Sequence, residues 1–268
     1  MLNNYINLVA SSPLEQFETT PLTSLSTPIL GDFVFSLTNV GLYTLLVLAL
    51  GIGYHALAAN NSPSAAAGNG TGLVPSKWSL SLESSYATLH SMVKEQVGTA
   101  NEIYVPFIYS LFFFILLANL VGNVPYSFAF TSSAIVAMGL SVMIFLGVTI
   151  LGLMRHGIHF FSFFVPAGTP LALVPLLALI ELISYFARAF SLGVRLFRNI
   201  VRGHTLLKIL SGFLYPALTS GILLFFVTLL PMAIFIALVG LEIAVSLIQA
   251  YVFTILTCSY LKDAIELH

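Results

Sequence analysis

Apolar stretches that are long enough to cross a membrane dominate the chain. Residues 33–58, 105–124 and 131–154 are nearly continuous apolar runs, and each matches the length of about 20 residues that a helix needs to span a bilayer. Two much longer runs, residues 171–215 and 219–261, close the chain, with Pro216 near the break between them. The pattern therefore predicts about five membrane-crossing helices.

Residues 79–103 have a different pattern, in which apolar and polar side chains alternate at helical spacing. Tyr86, Leu89 and Val93 recur every three to four residues, with His90 between them and Glu83 and Lys94 on either side. This spacing is typical of an amphipathic helix that lies on the membrane surface.

The two closing runs are too long for an upright crossing. A continuous helix of about 40 residues is about 60 Å long, whereas the hydrocarbon core is about 30 Å thick. Either these helices break, or they form a hairpin that lies steeply across the bilayer. We predict an all-α membrane protein, a single membrane domain over residues 12–268, with the last two helices as a long, steeply tilted hairpin.

Composition agrees with a membrane protein. Only 7% of the 268 residues are charged, whereas soluble domains have about 25%. The formal net charge of −1 gives no basic surface that would attract nucleic acid.

The few cations outside the long runs predict the orientation. If every apolar run crosses once, Lys77, Lys94, Arg155 and Lys262 all lie on the same side. The positive-inside rule then places the N-terminus outside and the C-terminus inside.

Residues 1–11 contain no Lys or Arg, unlike a secretory signal or a mitochondrial transit peptide.

The fifth run has an unusual concentration of charge, with five of the nine basic residues between positions 188 and 208. A charged side chain at the bilayer centre costs about 2.5–3.5 kcal/mol on insertion scales, so this cluster needs a compensating role. Residues spaced seven apart form one stripe along a helix. That stripe consists of Glu181, Arg188, Arg195 and Arg202.

The last run has polar residues on one face. Glu242, Ser246 and Gln249 share a face by four- and seven-residue spacing. Asp263 follows near the inner end of the same run. On the preceding helix, His204 lies on the face opposite Arg195. Ionisable groups inside a membrane are by default ion or proton pathways. Buried ion pairs and hydrogen bonds that only set helix packing remain the alternative.

These segments resemble a known family. SLGVRLFRNIVRGH and LEIAVSLIQAYVFTILTCSYLKDAIELH, together with SPLEQFE and NVPYSFAFT, are similar to subunit a (subunit 6) of the mitochondrial F-type ATP synthase, most closely its fungal forms. The resemblance covers the chain from about Ser12 to the C-terminus.

The resemblance implies a stator subunit of the mitochondrial inner membrane that gives a ring of c subunits two offset proton half-channels. Other partners would be the peripheral stalk, the remaining membrane-sector subunits and lipid. By this resemblance, Arg195 is the essential charge that faces the rotor carboxylate. The outer half-channel would contain His204, Glu242, Asn199 and Gln249, and the inner one would contain Glu181 and Asp263.

Further implications concern topology and chemistry. The N-terminus would face the intermembrane space, the C-terminus the matrix, and residues 1–11 would be a removable leader. The resemblance implies no cofactor, no metal and no catalytic site within this chain. The chain departs from the family at Arg198 and Arg202, where relatives have small or neutral residues. These cations either pair with acids on another subunit, face lipid headgroups, or tune the channel differently.

Three other functions are weaker alternatives. A stand-alone channel or secondary transporter often has internal repeats, and none is evident here. A voltage sensor would use the spacing of Arg195, Arg198 and Arg202. A membrane enzyme would need a constellation of ligands or a nucleophile, and the sequence contains no phosphate-binding loop of the GxxxxGK[ST] type.

Overall fold

The computed structural model describes residues 17–26, 34–60, 77–124, 127–164, 173–219 and 222–265. The predicted leader at residues 1–11 and two residues of the NVPYSFAFT segment, Pro125 and Tyr126, lie outside these ranges. Within them the chain forms a two-stranded sheet followed by six α-helices, with short 3₁₀ segments between some of them. The helices are α1 (Asn39–Asn60), α2 (Lys77–Val97), α3 (Val105–Gly122), α4 (Ala134–His156), α5 (Val174–Thr219) and α6 (Ile222–Ile265).

Five helical segments are long and apolar enough to cross a membrane. This confirms the predicted all-α membrane fold with five crossing helices and one further helix, α2. The candidate spans are Asn39–Ala58, Asn101–Gly122, Ala134–Phe161, Val174–Pro216 and Phe226–Ile265.

Helix α2 is the amphipathic element. Leu89, Met92 and Val93 are buried against α1, α3 and α6, whereas Glu83 and Lys94 are exposed. The helix ends at Val97 and is followed by a 3₁₀ segment, Thr99–Tyr104. Gly98 joins the two with a φ of 93°, a left-handed conformation that glycine adopts without a steric penalty.

Helices α5 and α6 form the long hairpin. They contain 46 and 44 residues, so each is roughly 65–70 Å long at 1.5 Å per residue. That is about twice the thickness of the hydrocarbon core, so a single crossing requires a steep tilt. Helix α5 continues through Pro216 to Thr219, and α6 contains Pro231. Membrane helices tolerate proline because neighbouring groups satisfy the freed backbone atoms.

A β-hairpin precedes α1, which the sequence analysis did not predict. Strand β1 (Pro21–Ser26) pairs antiparallel with β2 (Val34–Thr38), with Ser24 opposite Ser36. Strand β2 is continuous in sequence with the apolar run of α1, so hydropathy alone assigned both to one span. The Asn39 side chain donates a hydrogen bond to Thr20 Oγ1 and thereby ties the hairpin to the start of α1.

The core lies where α4 and α6 pack against the middle of α5 and where α3 packs against α6. Leu192 and Leu196 of α5 are almost fully buried, as are Ile108 and Ile115 of α3 and Phe253 of α6. The middle of α5 is therefore held on one side by a packed core.

Helices α4 and α5 approach closely at Gly193. A Cβ atom at this position would lie 2.8 Å from Met138 Sδ and 3.1 Å from the Ala137 carbonyl oxygen. Small residues at helix crossings allow membrane helices to approach in this way. The absence of a side chain at Gly193 therefore sets the spacing between α4 and α5.

Candidate functional site

A histidine and a carboxylate face each other between α5 and α6. His204 Nε2 lies 3.7 Å from Glu242 Oε1, and only 18% and 11% of the two side chains are exposed. The Phe17 ring packs edge-on to the His204 ring, with centroids 6.3 Å apart. We call His204 and Glu242 the histidine–glutamate pair. Both are groups that can exchange protons, and both are largely shielded from solvent.

Gly203 makes this arrangement possible. A Cβ atom on Gly203 would lie 2.5 Å from Glu242 Oε1 and 2.9 Å from its Cδ. Real Cβ atoms essentially never come within 3.0 Å of another heavy atom. The Glu242 carboxylate therefore occupies space that any other residue at position 203 would take.

A second polar pair lies between this pair and Arg195. Asn199 Nδ2 donates a hydrogen bond of 3.1 Å to Gln249 Oε1, and Gln249 is buried. We call Asn199 and Gln249 the amide pair. A small cavity of about 10 Å³ adjoins it. The polar residues that line this cavity are Asn119, Asn123, Asn199, Glu242, Ser246 and Gln249.

The acidic residues Glu181 and Asp263 share one cation. Arg188 Nη1 lies 2.7 Å from Asp263 Oδ2, and its Nη2 lies 3.6 Å from Glu181 Oε1. The Tyr260 hydroxyl donates a hydrogen bond of 3.3 Å to the Arg188 carbonyl. This Arg188 cluster joins the two helices at the end of the hairpin opposite the histidine–glutamate pair.

Arg195 lies between the two polar regions. It is seven residues from Arg188 and nine from His204, which corresponds to about 10 Å and 13 Å along the helix axis. Its side chain is exposed. Within the described residues it makes no ion pair and no side-chain hydrogen bond.

Comparisons with known proteins identify the family of the chain. The family model described as "ATP synthase A chain" matches residues 5–262. The chain belongs to the ATP synthase A chain family. It is 62% identical over 257 residues to the ATP synthase subunit a of Mycosarcoma maydis, covering 96% of this chain and 98% of that relative.

Two further relatives are of the same kind. The chain is 54% identical over 258 residues to the ATP synthase subunit a of Emericella nidulans, covering 96% of this chain and 97% of the relative. It is 53% identical over 259 residues to that of Podospora anserina, covering 96% and 95%. Proton translocation in the membrane sector of an F-type ATP synthase is therefore the function of the chain, and a stand-alone channel is not favoured.

Within this member of the ATP synthase A chain family, the cations Arg198 and Arg202 point away from the core. Both are exposed, and neither forms an ion pair among the residues that the structure describes. They line an apolar groove of about 740 Å³ along α5 and α6. All three alternatives for these cations therefore remain predictions, and none of them involves an acid of the same chain.

Three polar residues beside the site were not assigned to it from the sequence. Asn123 Nδ2 donates a hydrogen bond of 2.8 Å to Ser246 Oγ, and Asn119 Nδ2 lies 3.4 Å from the Ser246 carbonyl oxygen. Ser246 was recognised only as a neighbour of Glu242 and Gln249 on one helix face, and Asn123 only as part of the NVPYSFAFT segment. An amide within an apolar run such as residues 105–124 is a usable signal, because buried amides need partners.

The described residues offer no metal site. No group of three or more His, Cys, Asp or Glu side chains within them is placed to hold a metal ion. His156 contacts the backbone, since its Nε2 lies 2.9 Å from the Ile265 carbonyl oxygen.

Proposed function

We propose that the chain conducts protons through two half-channels that meet a rotor ring of c subunits at Arg195. The supporting observation is that Arg195, exposed and unpaired within the described residues, lies between two separate polar regions of one helix hairpin. It also lies at the midpoint of the candidate span Val174–Pro216. A cation at that depth costs about 2.5–3.5 kcal/mol, so a carboxylate from another subunit is the partner that offsets this cost.

The outer half-channel in this proposal uses the histidine–glutamate pair and then the amide pair. A proton from the intermembrane space reaches His204 and Glu242, passes Asn199 and Gln249, and neutralises a rotor carboxylate. The neutral rotor site can then turn through lipid, because a protonated carboxyl is far cheaper to transfer into hydrocarbon than a carboxylate.

The inner half-channel uses the carboxylates of the Arg188 cluster. After rotation, the proton leaves the ring toward Glu181 and Asp263 and then the matrix. Arg195 favours this release because a guanidinium stays protonated at any physiological pH and can pair with a carboxylate through two hydrogen bonds. The same charge repels protons and blocks direct transfer between the half-channels.

The proposal includes location and orientation. The chain lies in the mitochondrial inner membrane as a multi-pass protein, with its N-terminus in the intermembrane space and its C-terminus in the matrix. Its other partners are the peripheral stalk and the remaining membrane-sector subunits. In this assignment the ATP-forming chemistry belongs to other subunits of the complex.

Arg195→Gln tests the proposal in inner-membrane vesicles that contain the assembled complex. We expect proton-driven ATP synthesis to be lost while assembly is retained, with added passive proton leak through the complex. Arg198→Gln is the matched control, since it removes an exposed guanidinium one turn away on the same helix and should retain synthesis. Near wild-type synthesis by Arg195→Gln would refute the role of Arg195 and transfer attention to Arg198 and Arg202.

A further inference from the structure

A short segment before the β-hairpin reaches the histidine–glutamate pair from the far end of the chain. The Phe17 ring packs against the His204 imidazole, with the ring centroids 6.3 Å apart and the ring planes at 82°. This edge-on geometry is favoured, because the positive edge of one ring meets the negative face of the other. We call residues 17–20 the Phe17 segment.

The Phe17 segment is anchored at its other end to the start of α1. The Asn39 backbone N–H donates a hydrogen bond of 3.2 Å to the Thr20 carbonyl oxygen, and the Asn39 side chain donates to Thr20 Oγ1. Thr20 is three residues from Phe17, and an extended chain covers at most about 10–11 Å over three residues. The two hydrogen bonds therefore restrict how far the Phe17 ring can withdraw from His204.

The His204 imidazole has no hydrogen bond that would fix its orientation toward Glu242. Its Nε2 lies 3.7 Å from Glu242 Oε1, and neither atom makes a hydrogen bond within the described part of the chain. A hydrogen bond from nitrogen to oxygen spans about 2.7–3.2 Å, so the two atoms have to approach by about 0.5–1 Å before a proton can pass. The orientation of the imidazole consequently depends on the groups that pack against it, and Phe17 is one of them.

We propose that Phe17 is a positioning residue of the outer half-channel, whose ring covers the His204 imidazole and holds it in an orientation from which it reaches Glu242. This inference rests on the proposed function, because the transfer from His204 to Glu242 belongs to the outer half-channel. In that step the imidazolium releases the proton on Nε2 to Glu242 Oε1, so the imidazole becomes neutral and the carboxylate becomes the acid. Phe17 exchanges no proton; it limits the orientations that the imidazole can adopt, and such limits raise the rate of transfer.

The first test measures how well the ring covers the imidazole, independently of proton flux. Diethyl pyrocarbonate acylates accessible neutral imidazoles, and mass spectrometry of peptides from the intact complex gives the rate for each histidine. Phe17→Ala should accelerate the acylation of His204 roughly three- to tenfold, the factor that corresponds to the loss of one aromatic pair. His90 of α2, whose side chain is 35% exposed, is the internal reference and should react at an unchanged rate. Unchanged acylation of His204 would overturn the proposal.

The second test measures whether the ring also matters for proton transfer. Phe17→Ala should lower proton-driven ATP synthesis per assembled complex, again roughly three- to tenfold, and Phe17→Tyr, which keeps the ring, should restore most of it. Leu22→Ala is the matched control, because Leu22 is an exposed apolar residue of β1 and its truncation should change neither readout. Faster acylation of His204 together with the parent rate of synthesis would refute the positioning role.

A third variant perturbs the anchor and leaves both aromatic rings unchanged. Thr20→Val removes the Oγ1 acceptor, so that one of the two hydrogen bonds from Asn39 to the Phe17 segment is lost. We expect faster acylation of His204 and slower synthesis, each by a smaller factor than in Phe17→Ala. If Phe17→Ala does not assemble, Thr20→Val decides the question, and the parent rates in this variant would then overturn the proposal. Retained synthesis in Arg195→Gln would refute the role of Arg195, whereas the acylation of His204 reports on Phe17 alone.

Discussion

The contact between Gly203 and Glu242 leads to a quantitative prediction. The nearest atom to a Cβ on Gly203 is Glu242 Oε1 at 2.5 Å, whereas ordinary contact begins at 3.4 Å. Gly203→Ala therefore has to displace the carboxylate by about 0.9 Å, and the new methyl group pushes it away from α5, which carries His204. The nearest atoms belong to the end of a flexible side chain, so the displacement does not require the helices to separate.

Such a displacement should impair proton transfer more than assembly. A misplacement of about 1 Å in a reacting group can reduce a rate by as much as 100-fold, because proton transfer needs contact at hydrogen-bonding distance. We expect Gly203→Ala to assemble normally and to lose roughly 10- to 100-fold in proton-driven ATP synthesis per complex. The assay is ATP synthesis in inner-membrane vesicles, normalised to the amount of intact complex.

Gly212→Ala is the matched control for this substitution. Gly212 lies on the same helix, and a Cβ there would meet nothing within 4 Å. Both variants change helix propensity in the same direction, so only the contact with Glu242 distinguishes them. If Gly203→Ala synthesises ATP at the rate of Gly212→Ala, the position of the Glu242 carboxylate does not control proton entry.

Two other substitutions probe the rest of the hairpin. Arg188→Met removes the cation that Glu181 and Asp263 share. Because hydrogen bonds to charged groups contribute about 1.5–3 kcal/mol, we expect proton flux per complex to fall roughly tenfold. Flux equal to that of the parent would contradict a role for this cluster. Gly193→Ala places a methyl group against the backbone of α4, and such overpacking costs about 1–3 kcal/mol. We expect less intact complex on native gels, with unchanged proton flux through each complex that does assemble.

Hydropathy predicted the helices well because the bilayer imposes length and composition on every span. It did not predict the hairpin of β1 and β2, because Val34–Thr38 are as apolar as the helix that follows. Nor did it predict that α5 would continue past Pro216, because tolerance of that proline depends on neighbouring groups that a sequence pattern does not describe.

Spacing along single helices also accounts for part of the site. The four- and seven-residue spacing of Glu242, Ser246 and Gln249 predicts that they share one face of a helix. In the structure, Glu242 and Gln249 of this face contact residues of α5. The hydrogen bond from Asn123 to Ser246 was beyond this reasoning, because it depends on the register between α3 and α6, which are 127 residues apart at the Asn119 contact. The alignment of α3 against α6 depends on how their side chains pack, and the periodicity of either helix alone does not predict it.

Several polar contacts of the hairpin have one partner on α5 and the other on α6, which bears on how the chain enters the membrane. Asn199 contacts Gln249 and Arg188 contacts Asp263, at separations of 50 and 75 residues along the chain. While only α5 has been synthesised, Arg188 has Glu181 but lacks Asp263, and inserting the charges of α5 into the hydrocarbon is unfavourable. We therefore expect the two helices to enter the bilayer together as a unit, and a product truncated before α6 to conduct no protons, because it lacks Glu242, Gln249 and Asp263.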